Sequence, residues 1–405
     1  KPTDTQIKFV RKSSSVYDAV FATSALKDKL CQEGTLHLDD VLSQYTLFQR
    51  HVHEIDSPGR LHDLLYICSE VIGNDNDDAV TKLVVSALER LACLPNEVWA
   101  MPKTQDHLRW VLYRSAQCKC TTEQFNRKLP QIIDTSCIEK ITSLDTVAHN
   151  LFLLNIASAD IATRLIERYR YLALTSRRSL DPRPPYNTPK LLLYATLCEA
   201  NTQPLVDLMD IDRFLSECRP SHAQYLISLN TLSPTMDQRK KVVERLMESF
   251  LKISQESPNS NRAFNLLSYL VGKQYATGRV IVGGFRASSV CIFDRELQPI
   301  NLQNTDCPLS VYDKAAGVVT MDTAKKHGYT VVACLGLSEK TLLRHPQCEP
   351  NGYEVLEASA LKATGCYVVP IRLRPLRGSN APGQIQFETI PALCLNYPHH
   401  IPNFQ

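Results

Sequence analysis

Thr323-Ala-Lys-Lys-His-Gly328-Tyr-Thr-Val-Val332 and Ala360-Leu-Lys-Ala-Thr-Gly365-Cys-Tyr-Val-Val369 carry one pattern twice: helix formers with Lys near the end, a glycine, then a β-branched run. A glycine just past a helix takes the positive φ that stops it, and an unbroken hydrophobic run after it reads as a buried strand. Two αβ units are therefore expected here. Outward from them, Arg279–Phe285, Ser289–Phe293, Gly317–Met321, Tyr329–Leu335, Cys366–Leu373 and Ile385–Ile390 have strand character. The first two, with small residues between them, predict a hairpin. Val282-Gly283-Gly284-Phe285 reads as its corner, being too short to cradle a phosphate.

Upstream the grammar changes. Of the 14 glycines only Gly34, Gly59 and Gly73 precede residue 272. Glycine destabilises helix interiors and serves tight strand connections, so the boundary falls near 271–278. Before it, apolar residues recur at helical spacing in Leu36–Ile55, Leu61–Ile72, a segment capped at Asp77 or Asp78, Ile138–Ala157, Ile161–Leu174, Pro189–Glu199, His222–Leu229, Asp237–Ile253 and Arg262–Val271. The expectation is an α + α/β chain: a basic N-terminal segment 1–15, an all-α helical-repeat-like array over 16–271, and a small glycine-rich α/β domain over 275–405. An irregular helical bundle fits the first part equally well, since no clean repeat period is visible.

A chain of 405 residues exceeds what one core usually supports. No stretch approaches the ~18–20 apolar residues of a membrane span, so no membrane partner is expected. With 45 Lys and Arg against 42 Asp and Glu, the net charge of +3 selects no partner, and any anion site must come from local clustering. Fourteen cysteines at irregular spacing predict reduced thiols in a reducing compartment. Lys1, Lys8, Arg11 and Lys12 against the single acid Asp4 suit the mature edge of a protein imported into the mitochondrial matrix, and equally a solvated tail.

The motifs for phosphate-loop nucleotide hydrolysis, serine hydrolysis, zinc proteolysis and dinucleotide binding are missing. Cys118-Lys-Cys120 with His107 and Cys137 matches no common zinc spacing, so incidental cysteines are expected, with no metal and no cofactor. Asp294, Asp322, Glu354 and Glu357 lack the order of a metal-dependent nuclease core and read as solvated surface acids, leaving no catalytic residue.

Two basic clusters are better candidates. Arg164-Leu-Ile-Glu-Arg168-Tyr169-Arg170-Tyr171, continuing to Arg177-Arg178, puts five arginines and two tyrosines within fifteen residues. On a helix Arg164, Arg168 and Tyr171 share a face, which suits phosphate contact with base stacking; a solvated helix face is the plainer reading. Arg372-Leu-Arg374-Pro-Leu-Arg377 places its first two arginines on one side of a strand, with Arg377 in the turn beyond. Lys340 and Arg344 share a short helical face, and Lys362, Lys325 and Lys326 sit at helix C-termini, where dipole compensation alone explains them. Together they would grip RNA phosphate, a 5′ end being one candidate. An edge strand kept soluble by arginine is the alternative.

The stretch Gly352-Tyr-Glu-Val-Leu-Glu-Ala-Ser-Ala-Leu361-Lys362-Ala-Thr-Gly365-Cys-Tyr-Val368-Val369-Pro-Ile371 resembles the end of a RAP domain in Lys362, Gly365, Val368, Val369 and Ile371. The resemblance implies an endonuclease-like α/β fold. In the FAST-kinase-domain family such a domain follows a mitochondrial helical array that acts on RNA. Guide-RNA-associated proteins of kinetoplastid mitochondria are similar in architecture and role. The family's Asp-Gly-Pro-His segment is replaced here by Val331-Val-Ala-Cys-Leu-Gly336, so the resemblance implies RNA binding without cleavage. The expected function is thus a non-catalytic RNA-binding protein of mitochondrial RNA processing, stabilisation or editing. Its partners would be single-stranded RNA and other subunits of a ribonucleoprotein complex. The second reading is a helical protein-interaction scaffold with a degenerate nuclease-like domain.

Overall fold

The computed structural model describes residues 15–72, 78–100, 107–136, 138, 140–175, 189–206, 208, 258–283, 285–303, 311–337, 341–346, 349–375 and 385–389. The chain is mixed α/β with a helical N-terminal part. It divides into two compact units, Lys1–Met209 with Leu343–Gln347, and Asp210–Leu342 with Cys348–Gln405.

The described helices of the first unit are α1 (Val16–Glu33), α2 (Leu38–Ser43), α3 (Tyr45–His51), α4 (Pro58–Val71), α5 (Asp78–Cys93), α6 (Asn96–Trp99), α7 (His107–Cys118), α8 (Glu123–Thr135), α9 (Ile141–Leu153), α10 (Ala159–Thr175), α11 (Pro189–Leu197) and α12 (Gln203–Val206). Their ends follow local chemistry. Pro58 opens α4, where its missing N–H is harmless. The Thr122 hydroxyl caps α8 by accepting from the Phe125 N–H at 3.2 Å. The apolar run Leu36–Ile55, expected as one helix pattern, divides into α2, α3 and a 3₁₀ turn, because Gln44 leaves helical geometry at φ −101°, ψ 0°. The break lets Val41, Phe48, Val52 and Ile55 all reach the interior.

Neighbours form two successions. In one, α1 packs on α4, α4 on α7, α7 on α9 and α9 on α11; in the other, α5 packs on α8 and α8 on α10. Rungs α4–α5, α9–α10 and α10–α11 tie them together. Helix α5 turns a stripe of Leu83, Val84, Ala87, Leu88 and Leu91 inward, whereas Leu191–Ala195 of α11 are buried all round.

One junction uses a buried acid. The Asp145 carboxylate of α9 accepts the Leu191 N–H of α11 at 3.1 Å, satisfying a donor that the first turn of α11 leaves orphaned. Asp145 is only 8% exposed.

The second unit begins with α13 (Pro258–Val271). A boundary at 271–278 groups this helix with the array; the structure instead packs it on the sheet. The expected helices His222–Leu229 and Asp237–Ile253 lie outside the described residues, as do residues 1–14. Among the described residues the sheet has seven strands: β1 (Ala276–Val282), β2 (Phe285–Phe293), β3 (Tyr312–Asp313), β4 (Val318–Val319), β5 (Thr330–Leu337), β6 (Tyr367–Pro375) and β7 (Ile385–Thr389), in the order β3-β4-β1-β2-β5-β6-β7. The pairs β1–β4 and β5–β6 are parallel, and the rest antiparallel.

The predicted hairpin is β1–β2, with Val282 opposite Phe285. At its corner Gly283 has φ +56°, and a Cβ there would stand 2.7 Å from the Thr364 methyl, so glycine is required twice over. The two echoed units are α14 (Met321–His327) with β5 and α15 (Gly352–Thr364) with β6, each helix stopped by a left-handed glycine, Gly328 or Gly365. Helices α14 and α15 cover one face of the sheet, through Met321, Ala324, Ala358 and Leu361. Helix α13 covers the other, through Ala263 and Leu267.

Burial pushes Asp145 up from 3.8 to about 7, while burial and Lys190 push His149, one turn on, down from 6.5 to about 4. Between pH 4 and 6.5 the folded state holds a proton on Asp145 that the unfolded chain has lost, so that group's contribution falls as pH rises. His149 has the opposite sign, because the unfolded chain holds the proton there. We therefore expect these two contributions nearly to cancel within the first unit over this window. Asp145→Asn keeps the acceptor and should expose the His149 slope, stability rising by about 1.4 kcal/mol per pH unit at its steepest. Chemical denaturation at pH 4.5, 5.5 and 6.5 measures it.

Candidate nucleic-acid interface

Helix α10 buries Ile161, Leu165, Ile166, Tyr169 and Leu172, which turns Arg164, Arg168 and Tyr171 toward the opposite stripe. There they line a cleft of about 470 Å³ with Ile133, Asp134, Thr135, Ser136, Ile138, Leu165 and Glu167. The structure thus brings together three residues singled out in the sequence. They are not equivalent. Arg164 is paired with Asp160 at 3.0 Å and with Asp134, and these carboxylates hold its guanidinium still more firmly protonated than usual. Its charge is matched within the protein by these two carboxylates.

Arg168 is arranged differently. Its Nε donates to the Ile138 carbonyl at 3.0 Å, and its guanidinium carbon lies 5.3 Å from the centre of the Tyr171 ring. Tyr171 is 57% exposed. The carbonyl aims the guanidinium, and the pair offers a flat ring beside an oriented cation. That combination suits a stacked base with an adjoining phosphate. Arg177 and Arg178 lie outside the described residues.

The basic residues of the C-terminal cluster are divided. Arg372 and Arg374 stand in β6 opposite Glu388 and Gln386 of β7, so they occupy an inner strand and not the edge considered for them. Their side chains lie outside the described residues, as do Lys340 and Arg377. Arg344 belongs to the first unit, where its N–H donates to the Lys119 carbonyl at 2.8 Å. Arg344 lies in a turn and not in the short helix expected to carry it with Lys340.

Lys325 packs its stem against Gly365, where a Cβ would meet its Cε at 2.8 Å. The ammonium lies by the C-terminus of α15, the end that also carries Lys362, and compensates the helix dipole there. Lys326 is exposed.

The acids depart from expectation at Glu354 and Glu357, both on α15. Asp294 folds its own turn, accepting from the N–H groups of Glu296 and Gln298, and Asp322 is exposed in the first turn of α14. Glu354, expected in solvent, is 7% exposed. Burial first, and then the neighbouring Glu357 charge, drive its carboxyl upward. Glu357 binds the Arg286 guanidinium at 2.9 Å, tying α15 to β2. Cys118 and Cys120 are buried free thiols, and burial holds Cys120 up at about 12, so it stays protonated. Among the described residues no group of three or more potential ligands could hold a metal ion; Cys137 lies outside them.

Sequence reading passed over a further cation–aromatic set on α4 and α7. The Arg114 guanidinium stands 4.0 Å from the centre of the Tyr66 ring and 5.3 Å from that of Tyr113, and Arg109 stands 4.7 Å from Trp110. The signal was the doublets Arg109-Trp110 and Tyr113-Arg114 at three- and four-residue spacing on one helix. Their partner Tyr66 is distant in sequence.

The Glu357 side chain is 13% exposed, so removing Arg286 leaves a mostly buried carboxylate without its partner. Arg286→Met should lower the stability of the second unit by about 3 kcal/mol, and Arg286→Met with Glu357→Met should recover most of it. Urea unfolding of the three proteins makes the comparison. No protein-family model, curated protein or solved structure matches this chain, so its functional reading rests on its own geometry.

Proposed function

We propose that this is a non-catalytic RNA-binding protein that holds single-stranded RNA on its first unit. The carrying observation is the Arg168–Tyr171 pair, a cation aimed by a backbone carbonyl beside an exposed ring, on the wall of a 470 Å³ cleft. The two successions of helices support reading that unit as a helical-repeat-like array, which presents an extended binding surface. The parallel β5–α15–β6 crossover, beside an antiparallel hairpin, is compatible with the endonuclease-like fold implied by the RAP resemblance. In this reading the chain works in mitochondrial RNA processing, stabilisation or editing, within a ribonucleoprotein complex.

A second reading, a protein-interaction scaffold, draws on a separate feature. Tyr17 and Phe21 lie one turn apart on α1 and are 73% and 75% exposed, as suits a partner helix. Crosslinking of the native complex separates the readings, since a scaffold gives protein adducts through α1 and none to nucleotide.

Gel shifts with single-stranded RNA should show affinity falling steeply with salt as phosphate contacts release counterions. Arg168→Ala with Tyr171→Ala should weaken binding by about 1–3 kcal/mol, whereas Arg164→Ala should change it little. The reading is sunk if no RNA binds at low salt, either to the purified chain or to its native complex.

A further inference from the structure

We infer that the α4–α7 face of the first unit is a second stacking site, at which a base of single-stranded RNA lies on Trp110. This rests on the RNA-binding reading and adds a site to it. Helix α7 buries Leu108, Val111, Leu112, Ser115 and Cys118, which leaves Trp110 exposed, Arg109 and Tyr113 half-buried beside it, and Arg114 14% exposed against α4. Trp110 is 38% exposed, although a tryptophan gains more from burial than most residues. The chain's other tryptophan, Trp99, is 1% exposed.

The rings around Trp110 form a connected set. Tyr113 meets it edge-on with centroids 5.8 Å apart at 82°, and the His62 ring lies 6.5 Å away. Arg109 covers part of it, and Arg114 sits between Tyr66 and Tyr113. The set is also held in place. Arg114 donates to Ser69 at 3.2 Å, Glu70 at 3.0 Å and Gln117 at 2.7 Å, and Gln117 in turn donates to the Tyr113 hydroxyl at 3.1 Å. Rings fixed in this way lose little further entropy when a ligand docks.

The chemistry selects a base over a protein side. A protein partner of ordinary affinity needs a contiguous apolar patch, and Trp110 is the only large hydrophobic residue of this helix that is exposed. A nucleobase needs one flat ring and a neighbouring cation, both present here. The ring is sequence-tolerant because every base has a π-face. Selectivity among bases is not expected.

The two tryptophans make a direct test. Oligoadenylate and oligouridylate added to the full chain should quench the exposed tryptophan emission, and an abasic strand of equal length should not. Trp110→Phe, which leaves only the buried Trp99 to emit, should abolish the quenching. Trp110→Ala should weaken RNA binding about five- to hundred-fold with the circular dichroism unchanged. Binding by gel shift with unchanged emission and unchanged Trp110→Ala affinity overturns this site and leaves the proposed function standing. Equal quenching by the abasic strand also overturns it, as phosphate contact without stacking. A Trp110→Ala chain that keeps its RNA affinity but loses a copurifying protein assigns the face to a protein partner instead. No binding of any strand removes the proposed function and this site together.

Discussion

Successive residues of β5 face opposite sides of the sheet. Val331, Ala333, Leu335 and Leu337 enter one core, and Val332 and Cys334 the other. Neither face can be left to water, so helices must cover both. The βαβ crossover supplies α15 to one side with α14 beside it, and only a helix from elsewhere in the chain can close the other. That helix is α13, from immediately before β1, and its place on the sheet follows from the two-sided hydrophobicity of β5, β2 and β6. The hairpin corner at Gly283, pressed against Thr364, and the Arg286–Glu357 pair then fix α15 along the sheet.

Most of this was written locally. Gly328 and Gly365 announce where two helices stop, and the β-branched runs after them announce buried strands. No long-range information is needed for either. The allegiance of α13 was not local, because its apolar stripe would fit a helix neighbour as well as a sheet; what decides is that the second face of β5, with Val332 and Cys334, needs a cover. The division of Leu36–Ile55 was hidden for a related reason. Its apolar positions satisfy a single helix, and only the need to bring Val41, Phe48, Val52 and Ile55 to a common interior reveals the break.

At the candidate site, legibility ends where pairing begins. The spacing of Arg164, Arg168 and Tyr171 put them on one face, and they are on one face. Spacing could not show that Asp134, thirty residues earlier, would answer the Arg164 charge, or that the Ile138 carbonyl would aim Arg168. The first unit uses arginine repeatedly in this way: Arg90 donates to the Ile55 carbonyl, Arg168 to Ile138, and Arg109 and Arg114 lie on rings. A guanidinium that binds an acceptor in its own plane still has two faces and further N–H groups to offer. Counting charges therefore understates what such a surface presents, and a chain of net charge +3 is no obstacle to it.

Leu343–Gln347 belong to the first unit although more than a hundred residues separate them from its main body. They hold there by backbone pairing: the Thr121 N–H donates to the His345 carbonyl at 2.8 Å, and the Lys119 carbonyl accepts from Arg344. Backbone groups around Cys118–Thr121 are thus left open until this short segment arrives. Synthesis runs from the N-terminus, so the helical unit emerges first yet waits for most of the α/β sequence before its last strand-like bridge can form. A gene split between the two units after Met209 would give a helical fragment with those groups facing water, and one whose missing piece is a pentapeptide encoded in the other half.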